Sequence, residues 1–405
     1  MRLKPIIRSL LEDDLYKYSM GQAIYHKFPG HMTTWTFKCR NPEVMFTPEM
    51  VDEIREQVQA YCDLEYKKEE LAFLSTILWI HQDYIEFLRN WKPRFEDFTI
   101  DTNSTCGLRI EATGSWLNVS RYEMPVLMIV NEVWFRMTYN YDDLYGSFCE
   151  RLYDKYNALK SGHWYVNTFS GFGLRRRLSG EAEEKFVDVF SHLNDTMHCA
   201  STFVGISNVY LAWKYDLMPT GTMAHEWIMG AGQGDIKHNP AYCNWYALKA
   251  WTDEYGILNG TALTDTIGTD TFLKDFQLTF ATLFSGVRHD SGDPITWGEK
   301  LIAHYESLGI DPKTKTLLFS DSLNFEAADK ICRHFQGRAK TAFGIGTYLT
   351  NDTFAKPLNI VMKMTECNGH DVAKLSDVDG KGMCKNAEYE RWVRDCIYMR
   401  EDYAL

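Results

Sequence analysis

The sequence predicts an α/β protein whose second half is a series of βα units closed into a parallel barrel. From about residue 200, short apolar runs alternate with amphipathic helices in a βαβα rhythm. The apolar runs give way to loops at polar or small residues: Asp265, Arg288, Asp290, Asp321 and Gly344. The steps between Asp265, Asp290, Asp321 and Gly344 are 25, 31 and 23 residues, the length of one βα unit each. In a parallel barrel the strand C-terminal ends converge on one face, so these residues would line one site. An open, doubly wound sheet also gathers its strand ends at a crevice, and the pattern alone leaves that alternative standing.

The first third of the chain reads as mixed helix and strand. Thr47 as N-cap and Pro48 at the first helical position open a helix on which Val51, Ile54, Val58 and Tyr61 recur at helical spacing. LRIEA and WLNVS flank the turn TGS in a hairpin-like pattern. EMPVLMIVNEVWFRM, residues 123–137, is a buried-helix candidate at a plausible domain boundary. In the second half, TALTD leads into TDTFLKDF. FSGVRHDSGDP leads into a helix capped by Asp293, with Pro294 next, Trp297, Leu301, Tyr305 and Leu308 inward, and Gly309 as its stop. TLLFSDS leads into a helix carrying Ala328, Ile331 and Phe335 and closed by Gly337, and KTAFGIGTY ends a further strand.

Composition bounds the function. A chain of 405 residues, 45% hydrophobic and 14% aromatic, can bury a large core over two or three domains. Its net charge of −12 argues against a general nucleic-acid or membrane-surface binder, so any phosphate must be held locally. The ten cysteines form no C-x-x-C pair and the N-terminus lacks a secretion-signal pattern, which fits reduced thiols in a cytoplasm. The most apolar stretch, VLMIV, is too short to span a bilayer.

Several short stretches carry chemistry, each beside a plainer explanation. In GTMAHEWIM, His225 and Glu226 suggest a zinc-protease helix, but Met229 stands where the second histidine is needed, and the zinc reading fails. FGIGTYLTND has two glycines after a strand and then hydroxyls, which suits backbone N–H groups around a phosphate and equally a tight turn. RHDSGDP places Arg288 and Asp290 around a Ser-Gly turn, a set fit for a metal-bound polyphosphate, while Asp293 caps its helix. FGLRRRLS, with three arginines in a row, reads most simply as a solvated surface. Phe172, Tyr16 and a lone His225 read singly as packing or structural residues.

Taken in order, LLEDDLYKYSMGQAIYHKFP, FKCRNP, FSGFGLRRRLS, GISNVYLA, GTMAHEW, LTDTIGTD, GVRHDSGDPITWGEK, LLFSDSLN, FGIGTYLTND and KPLNIVMKMTECNGHDVAKLSD resemble the nicotinate phosphoribosyltransferase family over most of the chain. The resemblance implies an irregular TIM-like α/β barrel with an N-terminal α+β sandwich-like domain. It divides the chain into residues 1–125, the barrel at 126–355, and a segment, 356–405, packing back on the N-terminal domain. The implied reaction joins nicotinate to 5-phosphoribosyl 1-diphosphate, giving nicotinate mononucleotide and pyrophosphate for NAD salvage, coupled to ATP hydrolysis with Mg²⁺.

By the same resemblance, His225 is phosphorylated by ATP and Asp265 orients its ring. Phe172 and Tyr16 would sandwich the pyridine, Tyr16 arriving from the partner in a homodimer with a shared site. Arg288 would meet the nicotinate carboxylate, Arg175 the ribose or phosphate side, and Asp290 the ribose hydroxyls or the metal. Ser320, Asp321, Gly344, Gly346 and Thr347 would cradle the 5-phosphate. Nicotinamide-using relatives place an aspartate where Ser207 aligns; an aspartate repels a carboxylate, whereas a serine hydroxyl can donate to it, which favours nicotinate. Arg176 and Arg177 are not placed in the site. A nicotinamide phosphoribosyltransferase and a non-catalytic nucleotide-binding barrel are the alternatives.

Overall fold

The computed structural model describes residues 3–194, 200–378 and 380–400. Three strands lie in the first third: β1 (Met32–Cys39), β2 (Phe98–Asp101) and β3 (Arg109–Ser115). Seven follow in the middle: β4 (Thr168–Gly171), β5 (Thr202–Ile206), β6 (Met218–Pro219), β7 (Thr261–Leu263), β8 (Gly286–His289), β9 (Thr316–Phe319) and β10 (Lys340–Ile345). The last two are β11 (Ile360–Cys367) and β12 (His370–Asp371).

The middle strands form one parallel sheet in the order β6-β5-β4-β10-β9-β8-β7. This order decides between the two architectures. A doubly wound sheet reverses strand order at a switch point, whereas here chain order runs continuously round the sheet and the last strand, β10, closes on the first, β4. The sheet is therefore a curled barrel with one seam, between β6 and β7. The chain between those strands carries the short helix His225–Trp227, a π-helical turn Ile228–Gln233 and the helix Cys243–Tyr255. Neighbouring residues that face opposite sides of a strand, such as Ala262 and Leu263 of β7 or Phe343 and Gly344 of β10, are both buried, as parallel strands covered by helices require.

The other sheet is antiparallel, in the order β12-β11-β1-β3-β2, so β11, from the far end of the chain, pairs with β1. The helix Glu123–Thr138, buried over most of its surface, packs against β11, against the helix Pro48–Cys62 and against the turn Leu174–Arg176 beside the barrel. Local signals hold where they are strong. Thr47 Oγ1 accepts from Met50 N at 3.3 Å, and Val51, Ile54, Val58 and Tyr61 are buried. Asp293 Oδ1 accepts from Thr296 N at 2.8 Å, and Gly309 takes a positive φ beyond that helix.

The hairpin reading of LRIEA-TGS-WLNVS is wrong. Thr113, Gly114 and Ser115 continue β3, paired with Thr34, Thr33 and Met32, and Trp116–Val119 is a helical turn. Gly114 does not turn the chain because β1 supplies it with a partner, and Trp116 is drawn inward to stack on Trp227 with ring centroids 5.9 Å apart. Among the described residues, no helix is long and apolar enough to cross a membrane.

Candidate active site

A cavity of about 870 Å³ opens at the C-terminal ends of the barrel strands. His225 enters it from the loop after β6 and bridges the seam. Its Nε2 lies 2.8 Å from Asp265 Oδ1, two residues beyond β7, and 3.7 Å from Asp290 Oδ2, just beyond β8. Asp265 is fully buried behind the ring, where its Oδ2 accepts from Ser291 Oγ at 2.6 Å and lies 3.4 Å from Lys374 Nζ. Burial opposes ionisation of Asp265, but the imidazole contact, Lys374 and Ser291 hold it well below the usual carboxylate range. Burial, and then Lys374, pull His225 below the ordinary imidazole value, against Asp265 and Asp290. The neutral ring therefore donates Nε2–H to Asp265, and the lone pair sits on Nδ1.

Arg288 is held by three acceptors: its Nε donates to Ser320 Oγ at 2.8 Å, Nη2 to Asp290 Oδ1 at 3.0 Å and Nη1 to the Met223 carbonyl at 3.3 Å. Burial works against the Asp290 charge, yet the Arg288 guanidinium brings its pKa down to about 2. Arg288 also lies 5.8 Å from the centroid of Phe172. That ring rests on Gly344, where a Cβ would stand 2.3 Å from Phe172 Cδ2. Gly344 and Asp265 thus lie behind the cavity wall, while Gly346, Thr347, Ser320 and Asp321 line it.

Tyr16 lines the same cavity from within the chain, which corrects the expectation that a partner subunit supplies it. Leu15 N donates to the Ser207 carbonyl at 2.9 Å and Asp14 bridges Asn208, so the end of β5 itself anchors the helix Leu15–Lys27 that carries Tyr16. Ser207 Oγ is buried beside the Asp14 carboxyl, whose pKa burial raises above its usual range against the opposing influence of the Ser207 hydroxyl. Ser207 lines the cavity at this point.

The arginine run is not a solvated surface. Arg175 and Arg176 line the cavity, and burial with Arg175 and Arg40 nearby pushes Arg176 down to about 9. Arg177 turns the other way, 1% exposed, to Glu12 Oε2 at 2.8 Å and Glu183 Oε2 at 3.0 Å. Sequence reasoning missed Arg40, Lys363, Lys374 and Lys381, all of which line the cavity, and Lys381 Nζ reaches Asp321 Oδ2 at 2.5 Å. They lie within the quoted FKCRNP and KPLNIVMKMTECNGHDVAKLSD stretches or just beyond the latter, but single cations carry no spacing signal. His225, Asp265 and Asp290 bring donor atoms within 4.8 Å of one another. Asp265 is already committed to other partners, so Asp290 is the carboxylate facing the cavity. One or two carboxylates with substrate phosphates is the set Mg²⁺ takes, so these residues fit it.

Fold and site together define an α/β-barrel enzyme with a cation-rich cavity for anionic substrates at its strand ends. Residues 11–131 match the nicotinate phosphoribosyltransferase (NAPRTase) N-terminal domain, and residues 167–400 match the nicotinate phosphoribosyltransferase (NAPRTase) family. The chain is 44% identical to the nicotinate phosphoribosyltransferase of Pseudomonas savastanoi pv. phaseolicola, over 96% of this chain and 94% of that one. Its fold matches the crystal structure of the Porphyromonas gingivalis nicotinate phosphoribosyltransferase with a TM-score of 0.87 at 36% identity, covering 96% and 100% of the two chains. The Vibrio cholerae structure of that name matches with a TM-score of 0.89 at 33% identity, covering 98% and 95%. The chain belongs to the nicotinate phosphoribosyltransferase family.

Proposed function

We propose that this enzyme transfers the phosphoribosyl group of 5-phosphoribosyl 1-diphosphate to nicotinate for NAD salvage, and couples the transfer to ATP hydrolysis through a phosphohistidine at His225. The observation that carries this reading is the buried His225–Asp265 pair, set at the edge of a cation-lined cavity at the barrel's strand ends. The pyridine nitrogen attacks C1 of the ribose, the C1–oxygen bond breaks, and pyrophosphate leaves with the bonding pair. Positive charge develops on the sugar during this step, and fixed groups such as Asp290 stabilise it without rearranging. Tyr16 and Phe172 flank the ring, Arg288 meets the carboxylate, and Ser207 supplies its hydroxyl. Arg175 takes the ribose or phosphate side, while Ser320, Asp321, Gly346 and Thr347 hold the 5-phosphate. Asp290, together with the diphosphate, would hold Mg²⁺, which would supply charge neutralisation for the leaving group.

In the coupled half, His225 Nδ1 attacks the γ-phosphorus of ATP and ADP leaves. Asp265 holds the ring by Nε2–H and stabilises the charge the ring acquires. Water later cleaves the N–P bond and releases phosphate. The depressed His225 pKa sets the sign of the pH dependence: the neutral ring predominates above the lowered value and is lost as pH falls through it. Label transfer from γ-labelled ATP should stay near its plateau at the ordinary imidazole pKa of 6.5 and decline only below it. A midpoint at or above that value in a single-turnover series would exclude the neutral-ring mechanism.

The overall test is pyrophosphate release and mononucleotide formation with nicotinate or nicotinamide, 5-phosphoribosyl 1-diphosphate and Mg²⁺, with and without ATP. Turnover of nicotinate that ATP stimulates is the expected result. Preference for nicotinamide would transfer the recognition role from Ser207 to the neighbouring Asp14 carboxyl. Tight mononucleotide binding without turnover would make the protein a sensor. In the same assay Gly344→Ala is expected to raise the KM for nicotinate by about tenfold or more, because the added methyl displaces the Phe172 ring.

A further inference from the structure

Glu226 follows His225 directly and takes no part in the chemistry above, yet it is 4% exposed and charged partners surround it. Its carboxylate accepts from the Lys17 ammonium, from Ser120 Oγ at 2.5 Å and from the Trp116 indole at 3.3 Å. Lys17, fully buried, also donates to Glu123 Oε2 at 2.8 Å. Neither Lys17 nor Glu226 lines the cavity, but each is the chain neighbour of a residue that does: Lys17 follows Tyr16, and Glu226 follows His225. The two segments also lie against each other. Ala224 N donates to Met20 Sδ at 3.4 Å, and a Cβ on Gly221 would stand 3.3 Å from Tyr16 N.

We infer that the Lys17–Glu226 ion pair is the link through which the phosphorylation state of His225 sets the position of Tyr16, and so the affinity for the pyridine substrate. This rests on the phosphohistidine reading. A phosphoryl group adds roughly −1.5 to −2 charge next to the Asp265 and Asp290 carboxylates, so the ring and the helix start that carries it must shift. The π-helical turn Ile228–Gln233 immediately downstream is a place where such a shift can be taken up. On the other side, two buried ions do not separate readily, because each would be left unpaired away from water. The displacement therefore passes to Lys17 and the first turn of the helix bearing Tyr16. An effector acts only through different affinities in two states, and this pair makes Tyr16 differ between them. Lys17 and Glu226 are thus positioning residues.

The test uses the full chain as wild type, Glu226→Gln and Ser120→Ala. Two quantities are read for each: label on His225 from γ-labelled ATP, and the KM for nicotinate with and without ATP. In the wild type ATP should lower KM by about tenfold. Glu226→Gln should accept label to the wild-type extent while the ATP effect on KM shrinks to about twofold or less, with kcat at saturating nicotinate little changed. Ser120→Ala, which keeps the ion pair and loses one hydrogen bond, should fall between them, and it decides the matter if Glu226→Gln does not fold. A labelled Glu226→Gln or Ser120→Ala enzyme with the full wild-type KM response overturns the link. So does parallel loss of label, kcat and KM response, which marks a purely structural role. An unlabelled wild type instead overturns the phosphohistidine reading itself.

Discussion

His225→Ala is expected to take up no label from γ-labelled ATP and to lose all stimulation by ATP, while slow ATP-independent formation of mononucleotide persists. The imidazole nitrogen is the proposed acceptor, and no other described side chain combines its burial, its ionised orienting partner and its place on the cavity wall. The bond exchange at the ribose does not pass through the imidazole, so the transfer half survives. Coupling between two ligands is typically worth about 1–3 kcal/mol, so kcat/KM for nicotinate with ATP should fall by about 5- to 150-fold, to the level seen without ATP. Asp265→Asn is the companion variant. It keeps the shape but removes the charge that stabilises the phosphorylated ring, so label should appear slowly and be lost quickly. Measured together, rapid-quench labelling and steady-state rates separate the two halves. Undiminished labelling of His225→Ala would move the acceptor elsewhere.

Arg177→Ala is expected to cost several kcal/mol of stability. The guanidinium is buried between Glu12 and Glu183, and Asn208 Nδ2 donates to the same Glu183 oxygen at 2.9 Å. Removing one partner of a buried ion network leaves uncompensated charge, which costs about 3–5 kcal/mol. The loss depends on pH with a definite sign. Burial already raises Glu183 to about 7 even with Arg177 present. A carboxyl whose folded pKa is raised favours folding below its unfolded value near 4.5 and loses that contribution as pH rises through the folded value. Without Arg177, Glu183 rises further, so urea unfolding should show a smaller deficit near pH 5.5 than near pH 8. An equal deficit at both would mean that lost packing, rather than stranded charge, is the cause.

Much of the site was legible because it lies on local grammar. Asp265, Asp290 and Asp321 stand just beyond strands, where no helix face or core position explains a carboxylate, and their spacing follows from the length of a βα unit. Gly344 was legible as special, and the structure supplies a steric reason that the sequence does not show. It makes room for the Phe172 ring, and a glycine's neighbour cannot be seen along the chain. The TGS turn failed for a similar reason, since a strand partner far away in sequence overrode a local turn preference.

What the sequence determined by itself is therefore the identity of most elements, their caps and the placing of polar groups at the barrel's strand ends. Those follow from backbone periodicity and capping chemistry, which act within a few residues. Three matters were left to the tertiary structure. The closure of β10 on β4 chose barrel over open sheet. The packing of the helix Leu15–Lys27 against the end of β5 put Tyr16 into its own chain's cavity. Adjacent, chemically identical arginines were sorted into a cavity wall and a buried ion network. Each depends on which surfaces exclude water from which charges, and that is decided by contacts between residues far apart in the chain.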